Sequence, residues 1–323
     1  MEITLISIIC TIISPAWALV GGGISHSPIV PEISTTHLSK VSHLVSSALG
    51  DVVVIDDDTG NKDSSSSRYT LARDAVSIFQ RDNDDNESPS SIPQNELVYG
   101  ELSVPTLATI LDAVGVHDDD VFLDIGSGDG ALVLGASLLY ASNDSSSDGD
   151  IDEEKSGGER RRRNAIQKCY GVDIVPGLVE RSIVHAKNLE RILQSDDNVQ
   201  STNGILKDNQ SEIHLLLGDI HTPTKHLQDI LQEITLAVCF ATTWSAGNAN
   251  NDSSDDKRRS TSLQGRRLPK LSSALSTSLS SGCRVVIIDG KLSEEDGFTW
   301  QGDLKIICPD TAPHSIATLY HKQ

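Results

Sequence analysis

Val121-Phe122-Leu123-Asp124-Ile125-Gly126-Ser127-Gly128-Asp129-Gly130 is an apolar run that ends in an acid and passes into alternating glycines. The next residues, Ala131 to Leu139, are apolar or small throughout and predict a helix. Strand, glycine turn and helix in this order form the layout of a nucleotide-cofactor loop. Glycine lets the backbone turn tightly, or approach a ligand, where a side chain would block it. The N–H groups that open the following helix then face an anionic or polar group.

Two readings of the loop compete. Gly126-x-Gly128-x-x-Ala131 fits the loose dinucleotide pattern, in which the last glycine can be alanine. The same residues give Asp-x-Gly-x-Gly-x-Gly, which resembles motif I of the class I S-adenosylmethionine (SAM) methyltransferases. Asp124 favours the second reading. A carboxylate at the turn repels a pyrophosphate, whereas it suits the cationic ammonium of a methionine moiety. The resemblance makes Asp124, Gly126, Ser127, Gly128 and Gly130 candidate cofactor-binding residues.

Two further acids follow in order. Cys169-Tyr170-Gly171-Val172-Asp173 is a short apolar run ending in an acid, the position that binds ribose hydroxyls in both nucleotide families. The usual spacing from the loop is about 20 residues; here it is roughly twice that. Residues 143–163 account for the excess. They are polar, low in complexity and without an apolar period, which predicts a solvated insertion in a βαβ unit. Ile213 to Ile220 then predicts a third strand ending in Gly218-Asp219. In class I methyltransferases an acid here meets the adenine amino group and the next apolar residue packs on the ring. The resemblance therefore implies Asp219 and Ile220 as adenine contacts.

Downstream, Glu233 to Phe240 predicts a fourth strand, residues 248–264 a second polar insertion and Leu268 to Leu279 a helix. Gly282 to Asp289 predicts a fifth strand, and residues 298–308 and 315–321 a closing pair. Upstream, Lys40 to Leu49, Arg68 to Gln80 and Thr106 to Val114 predict helices, with a linker at 81–95. The expected fold is α/β: a Rossmann-like, seven-stranded class I methyltransferase sheet with helices on both faces and a small helical N-terminal extension. The domain would span residues 96–323, preceded by a Ser/Asp-rich region at 24–95.

Composition narrows the partners. The net charge is −20, with acidic runs at 82–85, 144–154 and 252–256. Such runs are solvated faces more often than sites. The only basic clusters are Arg160–Arg163 and Lys257-Arg258-Arg259 with Arg266-Arg267, so no strong nucleic-acid-binding surface is expected. Cys169, Cys239, Cys283 and Cys308 lie in strand-like runs without metal spacing, which predicts reduced thiols and no metal site. Leu5 to Ile13 is apolar and is followed by small residues, but no basic residue precedes it. A targeting segment over residues 1–23, secretory or organellar, and a plain buried N-terminal segment both fit. No other segment is apolar enough to form a transmembrane helix.

Val98-Tyr99-Gly100-Glu101, ahead of the loop, resembles the segment before motif I in the Dot1 family of histone lysine methyltransferases. The likeness continues through Asp118 to Gly128 and Tyr170 to Asp173, and returns at Gly218-Asp219 and Trp300-Gln301-Gly302. The resemblance implies SAM as cofactor and a lysine side chain of a protein, with histones as candidates, as methyl acceptor. It places Tyr99, Glu101, Thr242, Thr243 and Trp244 around the lysine channel, and implies a nuclear protein if the target is a histone. The chain also departs from the family. An Asn-Asn-Phe type motif reads Thr242-Thr243-Trp244 here, and the Thr after Tyr-Gly-Glu is Leu102. A lysine methyltransferase family acting on the ATP-synthase c subunit shares the Asp-x-Gly-Ser-Gly-Asp-Gly form but lacks Tyr-Gly-Glu. An RNA or metabolite methyltransferase and an inactive SAM-binding protein are the alternative readings.

Overall fold

The computed structural model describes residues 33–50, 66–84, 102–141, 165–195, 211–241, 266–306 and 315–323. Three helices come first: α1 (Thr35–Ala48), α2 (Ser66–Asp84) and α3 (Val104–Val114). β1 (Asp120–Ile125), α4 (Ala131–Leu139), β2 (Ile166–Asp173), α5 (Pro176–Ser195) and β3 (Glu212–Leu217) form the first half of the sheet. α6 (Lys225–Glu233), β4 (Leu236–Phe240), α7 (Pro269–Ser278), β5 (Arg284–Ile288), β6 (Phe298–Ile306) and β7 (Ser315–Lys322) form the second. α5 and α6, not singled out above, complete the βα units.

The described strands make one seven-stranded sheet in the order β3-β2-β1-β4-β5-β7-β6. β1 to β5 pair in parallel, whereas β7 runs antiparallel to both β5 and β6. This is the expected class I methyltransferase arrangement. The chain leaves β3 on one side and returns to pair β4 with β1, so the strand order reverses between β1 and β4. In open α/β sheets a ligand binds at such a switch point, beyond the carboxyl ends of the strands.

Burial on both faces explains the continuous apolar runs of the parallel strands. On β1, Phe122 packs with residues of α1, α3, α4 and α5, and its neighbours Leu123 and Ile125 pack with residues of α6 and α7. Each strand thus serves two cores, one per face. α2 packs on the outer side of α5 through Ala72 and Val76 against Val175 and Leu178.

The helix ends explain the small differences from the expected bounds. α1 begins at Thr35 rather than Lys40 because Ser34 caps it, its hydroxyl accepting the His37 N–H at 3.2 Å. α3 begins before Thr106 because Ser103 is the cap and Pro105 fits the first turn. α2 continues through Asp84, into the first residues read as linker. β3 stops at Leu217, so Gly218, Asp219 and Ile220 belong to the turn beyond it.

The amino ends of the strands are tied by a polar cluster. Asp120 accepts the His117 N–H at 2.7 Å and the Thr235 hydroxyl at 2.7 Å, and pairs with Arg284 of β5. Arg284 also donates to the Gly115 carbonyl at the end of α3. One acid therefore joins β1, β4, β5 and α3 at the end of the sheet opposite the glycine loop.

Candidate active site

The loop after β1 has the backbone that its glycines permit. Gly126, Gly128 and Gly130 have φ of 78°, 51° and 86°, in the left-handed region that other residues avoid. Gly126 and Ser127 both donate to the Val172 carbonyl, at 2.8 and 3.1 Å, which holds the loop against the end of β2. Gly171 makes that contact possible, because a Cβ there would lie 2.9 Å from Ser127 Cβ and from Val133 Cγ2. Gly130 caps α4 without a side-chain hydrogen bond.

Asp173 closes the loop from the other side. Its Oδ2 accepts the Gly128 N–H at 2.9 Å, and its Oδ1 accepts the Val175 N–H at 2.8 Å. Each carboxylate oxygen still has a lone pair that can take a hydroxyl. Beyond β3, Asp219 accepts the His221 N–H at 2.8 Å and the Thr222 hydroxyl at 2.7 Å. These bonds fix the turn that presents Ile220, which is buried. The Gly218 N–H donates to the Asp173 carbonyl at 2.9 Å, so the two acidic turns are adjacent.

The fold thus gathers Asp124, Gly126, Ser127, Gly128, Gly130, Asp173, Asp219 and Ile220 at the carboxyl ends of β1, β2 and β3. Tyr99, Glu101, Thr242, Thr243 and Trp244 lie outside the described residues, as does the segment 1–23. Trp300 is within β6 and half exposed, its indole N–H donating to Asp303 at 3.1 Å.

Charge at the site is dominated by buried acids. Burial pushes the Asp124 carboxyl up to about 8, and the charge of Asp173 adds to the effect. Burial likewise raises Asp173, against the lowering effect of the N–H groups that it accepts. Asp129 is buried and bound by Arg181 of α5, with Nε at 3.2 Å and Nη2 at 3.0 Å from its two oxygens. The His185 ring meets the Asp129 carbonyl at 3.1 Å. Sequence reasoning missed Arg181 and His185. The signal was an acid inside a glycine loop that burial obliges to find a cation, but several cations were available and only the fold selects Arg181.

Among the described residues, no three His, Cys, Asp or Glu side chains cluster as metal ligands, and no helix is long and apolar enough to cross a membrane. Cys169, Cys239 and Cys283 are buried free thiols, and burial raises all three above the usual thiol range.

Several solved structures are similar to this chain at low identity and low TM-score. Magnesium protoporphyrin IX methyltransferase from Synechocystis, with bound SAM, is 11% identical with a TM-score of 0.37, over 79% of this chain and 97% of that one. A SAM-dependent methyltransferase from Aquifex aeolicus is 12% identical with a TM-score of 0.36, over 76% and 98%. A third, from Corynebacterium glutamicum, is 11% identical with a TM-score of 0.36, over 78% and 99%. No curated protein matches the sequence. Residues 91–217 match the family described as histone methylation protein DOT1. That stretch runs from ahead of α3 to the end of β3 and contains the glycine loop with Asp124 and Asp173. Over this region the chain is similar to the DOT1 family, and with the class I sheet order this marks a SAM-dependent methyltransferase.

Proposed function

We propose that this protein is a Dot1-like N-methyltransferase acting on a lysine side chain of a protein, with histones the first candidates. The observation that carries the reading is the DOT1 match over residues 91–217, which includes Tyr99-Gly100-Glu101 as well as the loop. The acids at 124, 173 and 219 fit the cofactor: an unpaired buried carboxylate for an ammonium, an acceptor pair for ribose hydroxyls and an acid beside an apolar residue for adenine. Bound SAM supplies a sulfonium methyl group that transfers in line to a nucleophile.

The protein's own part is alignment and exclusion of water. A lysine can attack only as a neutral amine, and an apolar channel favours that form by disfavouring the charged one. Tyr99, Glu101, Thr242, Thr243 and Trp244 would line the channel, with Trp244 as a wall and a threonine hydroxyl accepting from the amine. A hydroxyl reaches less far than the amide of the related motif, so the acceptor would sit closer to the backbone. That change also favours a second reading, a SAM-binding protein without activity. A methyltransferase for RNA fits the charge of −20 poorly.

Transfer of labelled methyl from SAM to histones, nucleosomes and whole-cell extract tests the reading. Label on protein lysine is the expected result. Cofactor binding with no label on any protein would remove the lysine assignment, and label in nucleosides would replace it. Locating the tagged protein bears on the target, because nucleosomes are reached only in the nucleus.

A further inference from the structure

Four acids surround the loop, and three have donors. Asp173 accepts from Gly128 and Val175, Asp219 from His221 and Thr222, and Asp129 from Arg181. Asp124 is only 3% exposed and has no hydrogen-bond donor among the described residues. Among the described residues, the titratable groups that face it add no positive charge. Asp173 faces it from β2 and the Cys239 thiol from β4. Asp129 in the loop acts on Asp173, and Arg181 and His185 of α5 meet Asp129. α4, which follows the loop, has no charged residue from Ala131 to Leu139, and Asp112 of α3 accepts from the Tyr140 hydroxyl. A buried carboxyl beside another acid and without a donor is costly to ionise.

We propose that the unliganded site holds Asp124 as a neutral acid, and that Asp124 gives up its proton when a ligand bearing an ammonium group enters. Asp124 is then the residue that selects a nucleoside with an attached amino acid over a neutral nucleoside. This rests on the SAM reading above but goes beyond it. The step balances: the carboxylic acid and the ammonium ion become a carboxylate–ammonium pair, and one proton passes to the buffer. Burial and the Asp173 charge, which bring Asp124 to about 8, place the exchange in the neutral range. Binding that releases one proton tightens about tenfold per pH unit below that range.

The same acid shapes the stability of the unliganded protein. An unfolded aspartate ionises near 3.8, whereas the folded one keeps its proton to about 8. The folded state binds the extra proton between these values, so its contribution to stability falls as pH rises through that window and is lost above 8. Asp124→Asn keeps a neutral group there and should remove this part of the pH dependence.

Titration calorimetry with S-adenosylhomocysteine, which has the ammonium, and 5′-methylthioadenosine, which lacks the amino acid, tests the proposal. Affinity for the first should rise about tenfold from pH 6 to pH 7, with a binding enthalpy that changes between buffers of different protonation heat. Affinity for the second should stay flat. Asp124→Asn should abolish the slope, and thermal unfolding without ligand should show the variant gaining on the parent protein as pH rises to 8. A flat parent profile, or a slope that survives in Asp124→Asn, would overturn the proton release and leave the SAM reading intact. Failure of S-adenosylhomocysteine and SAM to bind at any pH would overturn both.

Discussion

Asp173 ties the loop by accepting two N–H groups, and the proposed ribose contact would use the same carboxylate, so its replacement should affect both. Asp173→Ala leaves the Gly128 and Val175 N–H groups without their acceptor. An unsatisfied buried donor costs about 1–3 kcal/mol, so urea unfolding should show a loss of that order, together with loss of SAM binding by calorimetry. Gly171→Ala should act on the same contact without removing a polar group. Its Cβ would press on Ser127 and Val133, at a cost of about 1–3 kcal/mol, and cofactor affinity should fall because the loop shifts. Unchanged unfolding and binding in this variant would show that the loop yields without consequence. The residues proposed to hold the cofactor could be singled out in the sequence because each acid ends an apolar run, and open α/β sheets bind ligands at strand ends. The partner of Asp129 was not legible. Arg181 lies 52 residues further on, and no local pattern marks it as the cation that burial requires.

At the scale of elements, α5 is joined to the loop by charge as well as by packing. Asp129 is fully buried as a side chain, while Arg181 keeps 22% of its side-chain surface. Arg181→Ala should therefore cost about 2–4 kcal/mol, since it strands a carboxylate in the loop. Removing both partners should cost less than removing the arginine alone. A double-mutant cycle by urea unfolding reads the difference, and additive losses would mean that the pair contributes no coupling. The order of the strands was legible from apolar runs and turn residues, whereas α5 and α6 were not singled out. Their ends were less so, because caps decide them: Ser34 and Ser103 set where α1 and α3 begin. The alternation of β1 between two cores was also hidden, because a strand buried on both faces has no polar side to reveal its register.

At the scale of the whole molecule, the residues flanking the connection between α4 and β2 are hydrogen-bonded to each other. The Ile166 N–H donates to the Tyr140 carbonyl at 3.0 Å, so the described residues on either side of 142–164 lie together. A short glycine–serine linker in place of residues 144–162 should leave the midpoint of thermal unfolding within a few degrees and keep SAM binding. Loss of binding in the shortened protein, with unfolding unchanged, would show that this segment belongs to the site. The charge of −20 argues against long-range attraction to nucleic acid. What the sequence left open at this scale is the methyl acceptor, because Thr242-Thr243-Trp244 departs from the related motif.

The position of β7 carries a consequence for assembly. It lies between β5 and β6, although β6 precedes it along the chain. β6 therefore has no sheet neighbour until β7 has been made and has crossed back to pair with β5. During synthesis β5 would stand as an open parallel edge and β6 as an orphan strand, both able to pair with another chain. Closure of this half of the sheet is then a late event, and any delay in it favours association over folding.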